Sequence, residues 1–201
     1  MLKYDEIYAK VPHPYGQGKP DPFVLLFKEI MPQGVAIDLG AGDGRNTLAL
    51  TRDGWEVIAV DSSEVGLQKL RGYAEELNQK RIQTICADIS RWDSERTVDA
   101  VMAMFVLHHL SNGNAESLLR RMQEKTRSKG VHAIATFTPE SDFYHEHPEE
   151  DWFFPTKEQL LNLYEGWEVI QAKEEIGAAR QKKADGSAMQ NTILRVLVRK
   201  G

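Results

Sequence analysis

The chain has 201 residues, 41% hydrophobic and 27% charged, with a formal net charge of -5. That balance suits one soluble domain with a substantial core; the acidity, with no basic tract, excludes an electrostatic footprint for nucleic acid. One cysteine, Cys86, rules out an intrachain disulfide or a cysteine metal cluster, and with neither an apolar leader nor a membrane-length stretch a cytoplasmic protein without a membrane partner is expected.

In chain order, Tyr4 to Lys10 reads as a short helix, and Pro12, Pro14, Gly16, Gly18 and Pro20 make the following stretch a loop. Residues 1–20 are either a surface arm or a lid over a ligand, with Tyr4 or Tyr15 facing inward. Asp21 caps a helix with Pro22 in its first turn; Phe23, Leu26, Phe27 and Ile30 line one face, and Pro32 and Gly34 end it.

From residue 35 strands and helices alternate. Strands are expected over 35–39, 55–61, 82–87, 98–105 and 131–137. The helices between run over 45–53, from Ser62 or Ser63 to about 78, and over 111–128, the last stopped by Lys129-Gly130. Nearly all-apolar strands separated by helices imply a parallel sheet covered on both faces. Residues 139–155 are irregular, an insertion near the substrate side, and Thr156 with Gln159 forms a capping box for a helix through Tyr164. Strands at 167–173 and 192–198 have no helix between them and read as a hairpin turning at Asp185-Gly186. The expected fold is α/β: a Rossmann-like doubly wound sheet of about seven strands, mostly parallel, with an antiparallel C-terminal hairpin. The whole of 1–201 is expected to be a single domain.

The strand over 35–39 carries Asp38 and runs into Gly40-Ala41-Gly42-Asp43-Gly44-Arg45. Strand, glycine turn and helix start make a nucleotide-like binding geometry, because bare Cα atoms let backbone approach a ligand. A dinucleotide fingerprint, G-x-G-x-x-G, would put its last glycine at residue 45, which is arginine. The order D-x-G-x-G-x-G resembles motif I of the class I S-adenosylmethionine (SAM)-dependent methyltransferases, in which Gly40, Gly42 and Gly44 would pack on the methionine and ribose part of the cofactor.

Asp61 follows Gly40 by about twenty positions and ends its strand, where an acid can accept both ribose hydroxyls of an adenosine; Ser62, next in the chain, is a further cofactor-binding candidate. The alternative for Asp61 is a cap on the next helix. The resemblance puts Asp88 near the adenine amino group, with a backbone contact from Ile89; a cap is again the alternative. Asp38 sits under the loop, accepting loop N–H bonds or lying near the methionine amine. Arg45 either pairs with the methionine carboxylate or faces solvent. Three acids closing adjacent strands beside a glycine turn are a rarer pattern than one.

Met104-Phe105-Val106-Leu107-His108-His109 resembles motif IV of small-molecule methyltransferases, which implies a Met104 backbone contact and an apolar wall from Phe105 or Val106 beside the sulfonium. His108 and His109 are general-base candidates by pKa; the simpler reading has one capping the next helix and the other packed beneath the sheet edge. His145 to Asp151 holds metal-ligand types, but consecutive in a loop, and no metal is expected.

Trp152-Phe153-Phe154-Pro155-Thr156-Lys157 and Leu163-Tyr164-Glu165-Gly166-Trp167 narrow the resemblance to the tellurite-resistance (TehB-like) methyltransferases. That family has a histidine and an arginine soon after the position of Gly177 and an arginine near the start of the last strand; here those places hold Arg180, Gln181 and Thr192. The resemblance implies SAM as cofactor, S-adenosylhomocysteine as product and a small-molecule acceptor, with Arg180 a candidate acceptor-handling residue and tellurite itself put in question. A soft, already ionised acceptor such as a thiolate or a selenium or tellurium oxyanion needs no base. An NAD(P)-linked oxidoreductase and a non-catalytic SAM-binding protein are the alternatives, as a monomer or homodimer.

Overall fold

The computed structural model describes residues 3–15, 18–31, 33–147, 150–182 and 186–201; for residues 3, 28 and 178–182 it describes the backbone alone. Seven strands form one sheet in the order β3-β2-β1-β4-β5-β7-β6. The parallel members are β1 (Val35–Leu39), β2 (Glu56–Asp61), β3 (Ile82–Cys86), β4 (Val98–Met104) and β5 (Thr126–Phe137). The C-terminal hairpin of β6 (Glu168–Lys182) and β7 (Ala188–Arg199) joins antiparallel, β7 against β5.

Helices α1 (Lys3–Lys10), α2 (Pro22–Ile30), α3 (Arg45–Arg52), α4 (Glu64–Glu76), α5 (Asn112–Lys125), α6 (Asp142–His145) and α7 (Lys157–Asn162) complete the order. One face of the sheet buries Phe23, Val24 and Phe27 of α2 and Leu50 of α3 against Ala100, Met102 and Ala133. The other buries Leu118, Leu119 and Met122 of α5 and Leu160 of α7 against Ile37, Val101 and Ile134. Each such side chain contributes about 1.5–3 kcal/mol by leaving water, so strands covered on both faces are apolar throughout. Among the described residues no helix is long and apolar enough to cross a membrane.

Local chemistry sets most boundaries. Asp21 accepts a hydrogen bond from the Phe23 N–H (3.0 Å), Ser63 caps α4 and Ser111 caps α5. The capping box of Thr156 and Gln159 starts α7. The largest departures from expectation are at the start of β5 and in the C-terminal hairpin. The helix over 111–128 stops at Lys125, because the Thr126 hydroxyl donates to the Met122 carbonyl (2.6 Å), meets His132 Nε2 (2.7 Å), and Thr126 pairs with Val98 at the start of β5. The hairpin strands run far beyond 173 and 192, their ladder continuing through Ile176↔Thr192 and Ala178↔Gln190. Asp185 of the expected turn lies outside the described residues, and Gly186 has φ 84°.

The strand order reverses between β1 and β4. Open α/β sheets bind ligands at that switch point, beyond the carboxyl ends of the strands.

Candidate functional site

Beyond Leu39 the chain turns through Gly40, Gly42 and Gly44, all left-handed (φ 71°, 56° and 87°). Space as well as φ demands glycine: a Cβ at Gly40 would lie 2.5 Å from Val106 Cγ2, and one at Gly42 would overlap the Tyr8 hydroxyl. α3 begins at Gly44 with no side-chain cap, so its first-turn N–H groups and its positive dipole end face the loop.

Asp61 anchors the loop. Its two carboxylate oxygens accept from the Gly42 N–H and the Ser63 N–H, each at 2.8 Å. Burial raises its pKa against the lowering effect of those N–H bonds. The loop N–H expected at Asp38 therefore goes to Asp61. Asp38, 1% exposed, instead accepts from the Thr47 hydroxyl (2.7 Å), and burial holds its carboxyl up to about 6. Asp88 is exposed and accepts from the Ser90 N–H and hydroxyl, the turn-capping geometry, beside buried Ile89. Ser62 is exposed between Asp61 and the Ser63 cap. The Arg45 guanidinium donates to the Lys19 carbonyl (3.2 Å).

Met104 closes β4, buried. Phe105 takes φ 59°, a conformation costing a non-glycine residue about 1 kcal/mol or more. Its N–H is held by the Ala135 carbonyl (2.7 Å), and its ring lies 5.5 Å from Phe137. His108 and His109 form a single 3-10 turn, and neither caps α5, a place taken by Ser111. His108 is buried among Phe137, Phe143 and Phe154 with Nδ1 unpartnered among the described residues. Burial, and His109 beside it, push its pKa well down, which leaves a neutral ring suited to packing rather than proton transfer at pH 7. His109 is half-buried and its Nε2 lies 2.8 Å from the Tyr4 hydroxyl.

The N-terminal arm lies against this edge. Ser63 Oγ donates to Asp5 (2.5 Å), Lys69 donates to the Val11 carbonyl (3.1 Å), and His13 stacks on Tyr73 and pairs with buried Asp43 at 3.2 Å. Tyr15, 38% exposed, stands edge-on to Tyr8. Sequence reasoning missed Tyr8, His13 and Asp43, and it missed Arg195. That arginine, 6% exposed, donates Nε and Nη2 to Asp21 (3.1–3.3 Å) and Nη1 to Glu175, with its guanidinium 5.6 Å over the Phe105 ring. A charge within the apolar run Ile193-Leu194-Arg195-Val196-Leu197 was the available signal. The side chains of Arg180 and Gln181 lie outside the described residues; Thr192 is half-buried on β7, its carbonyl accepting from the Thr138 N–H and the Ser141 hydroxyl.

These groups fit an adenosyl group carrying an amino acid. The loop offers bare backbone, and Asp61 keeps free lone pairs at a half-buried strand end. In a dinucleotide frame shifted to Gly42 and Gly44, the third fingerprint glycine would fall at residue 47, which is threonine. The edge therefore suits ribose hydroxyls and an ammonium better than a pyrophosphate.

The family model described as "Tellurite resistance protein TehB" matches residues 22–197. The probable S-adenosyl-L-methionine-dependent methyltransferase TehB of Haemophilus influenzae (strain 10810) is 26% identical over 164 residues, covering 82% of this chain and 56% of that protein. The chain spans little more than half the length of the curated relatives it matches. The crystal structure of TehB from Haemophilus influenzae aligns with a TM-score of 0.81 at 23% identity, over 100% of this chain and 68% of that one. NodS from Bradyrhizobium japonicum, an N-methyltransferase crystallised with S-adenosyl-L-homocysteine, aligns at 0.73 with 12% identity, over 98% and 96%. At those identities the two structures speak for the fold.

Proposed function

The chain belongs to the TehB tellurite resistance protein family, and from that premise we propose that it is a SAM-dependent methyltransferase acting on a small-molecule nucleophile. The observation that carries the reading is Asp61. It binds the Gly42 and Ser63 N–H groups at once, and so fixes the glycine loop to the strand end where ribose hydroxyls need an acceptor.

When bound, SAM supplies a sulfonium methyl group that a nucleophile can displace. The chain's own residues hold, orient and exclude water. Asp61 would accept from the ribose, Ile89 and Asp88 would flank the adenine side, and Arg45 with the first turn of α3 would serve the amino-acid carboxylate. Met104 would give a backbone contact, and Phe105 or Val106, the latter against Gly40 of the loop, would form the apolar wall beside the reacting centre. His108 stays neutral within the aromatic cluster. In-line attack then depends on placement more than on a proton acceptor. The acceptor class that matches is a soft or already ionised one, a thiol or a selenium or tellurium oxyanion. Measuring S-adenosylhomocysteine release across thiols, selenite, tellurite, small amines and phenols tests this. Turnover on a soft acceptor supports it; SAM binding without turnover on any of them would favour a non-catalytic SAM-binding protein.

A further inference from the structure

Tyr8 stands on α1, outside the sheet, yet its ring is only 6% exposed. It lies in a slot between two bare Cα atoms. A Cβ at Gly42 would overlap the Tyr8 hydroxyl, and a Cβ at Gly66, in the first turn of α4, would lie 3.2 Å from Tyr8 Cδ2. The slot therefore joins the glycine loop to α4, and the ring closes over both. Among the described residues no group accepts a hydrogen bond from the Tyr8 hydroxyl. Burial first, then the Asp61 and Asp43 carboxylates, push its pKa up, so the group remains an O–H donor at any working pH.

The docking of α1 is specific. One turn before Tyr8 on the same helix, Tyr4 meets His109 (2.8 Å), and Asp5 accepts from Ser63, the cap of α4. Burial also raises the Tyr4 pKa, so its phenol too stays neutral. The two tyrosines thus reach neighbouring parts of one edge: Tyr8 over the loop, Tyr4 on the turn after β4.

We infer that Tyr8 is a cofactor-contacting residue, brought to the glycine loop by the docking of α1 and donating its hydroxyl hydrogen to an oxygen of the bound cofactor. The site is complete only with α1 docked. This rests on the methyltransferase reading and extends it to residues outside the glycine-loop motif.

Calorimetric titration with S-adenosylhomocysteine tests it without needing the acceptor. Y8F, which keeps the ring and loses the donor, should weaken binding about fivefold to tenfold, the worth of one hydrogen bond. Y8A should weaken it tenfold or more, with faster dissociation in stopped-flow. Y4F, which loosens the docking of α1 at His109 but leaves the Tyr8 donor in place, should weaken binding less than Y8F. Y8F and Y8A binding like wild type would overturn the inference; so would tighter binding by Y8A, the mark of a ring that blocks the loop. If Y8A does not fold, Y8F alone decides. A wild-type chain that fails to bind S-adenosylhomocysteine would overturn the methyltransferase reading, and this inference with it, whereas wild-type binding with unaffected variants overturns only the role of Tyr8.

Discussion

Asparagine at position 61 probes the site at its anchor. The Asp61 oxygens take the Gly42 and Ser63 N–H groups from opposite sides, both at 2.8 Å. Asparagine has the same outline but one acceptor oxygen, and its amide nitrogen must face one of the two donors. One bond is lost and one shielded N–H is left unpaired, a cost of about 1–3 kcal/mol. Relief of a carboxylate whose pKa burial has raised offsets part of it. The net loss should be about 1–2 kcal/mol, or roughly 2–8 °C in Tm for a chain of this length. Ligand affinity should fall further, because a ribose bonded to a carboxylate gains about 1.5–3 kcal/mol, which is roughly tenfold to a hundredfold in Kd. Thermal melts with and without S-adenosylhomocysteine, and calorimetry on each form, read both effects. D61N with wild-type stability and wild-type affinity would refute the anchoring argument.

Asp38 gives a pH test. Its folded pKa, about 6, lies above the ordinary aspartate value of 3.8; the folded state therefore holds the proton more tightly, and the stability present below pH 4 is lost as pH rises through 6. Asp38→Asn removes that slope, and urea titrations should show it gaining about 3 kcal/mol on wild type between pH 4 and pH 7; parallel curves would contradict the buried-carboxylate account. His108→Leu removes a buried ring nitrogen that has no partner and should leave stability unchanged or raise it by about 1 kcal/mol, with turnover retained; loss of turnover in a stable variant would make His108 a participant. Arg195→Met strands Asp21, 2% exposed, and should cost about 3–5 kcal/mol, while the double variant D21N/R195M, which keeps an N-cap residue for α2, should recover most of it in the same urea assay.

What could be read from the sequence was what local chemistry decides. The end of β2 at Asp61, the caps Asp21 and Thr156, and the Gly40–Gly44 turn each follow from residue type at short range, and the sheet followed from apolar runs, with Asp38 one residue before the end of β1 and Asp88 two beyond the end of β3. Features set by distant partners could not be read. Thr126 leaves the helix because Val98 and His132 lie beside it. Tyr8 matters because Gly42 and Gly66, far along the chain, leave room for its ring. Asp61 rather than Asp38 holds the loop because the Gly42 N–H points across to the end of β2. Arg195 was visible as a charge in an apolar strand, but Asp21 and Glu175, its partners, come from either end of the chain.

The central claim is the identity of the cofactor, and calorimetric titration of the wild-type chain with SAM and, separately, with NADH tests it most directly. Saturable one-to-one binding of SAM, lost on competition with S-adenosylhomocysteine and absent with NADH, is the predicted result. Tight NADH binding with no heat from SAM would contradict it.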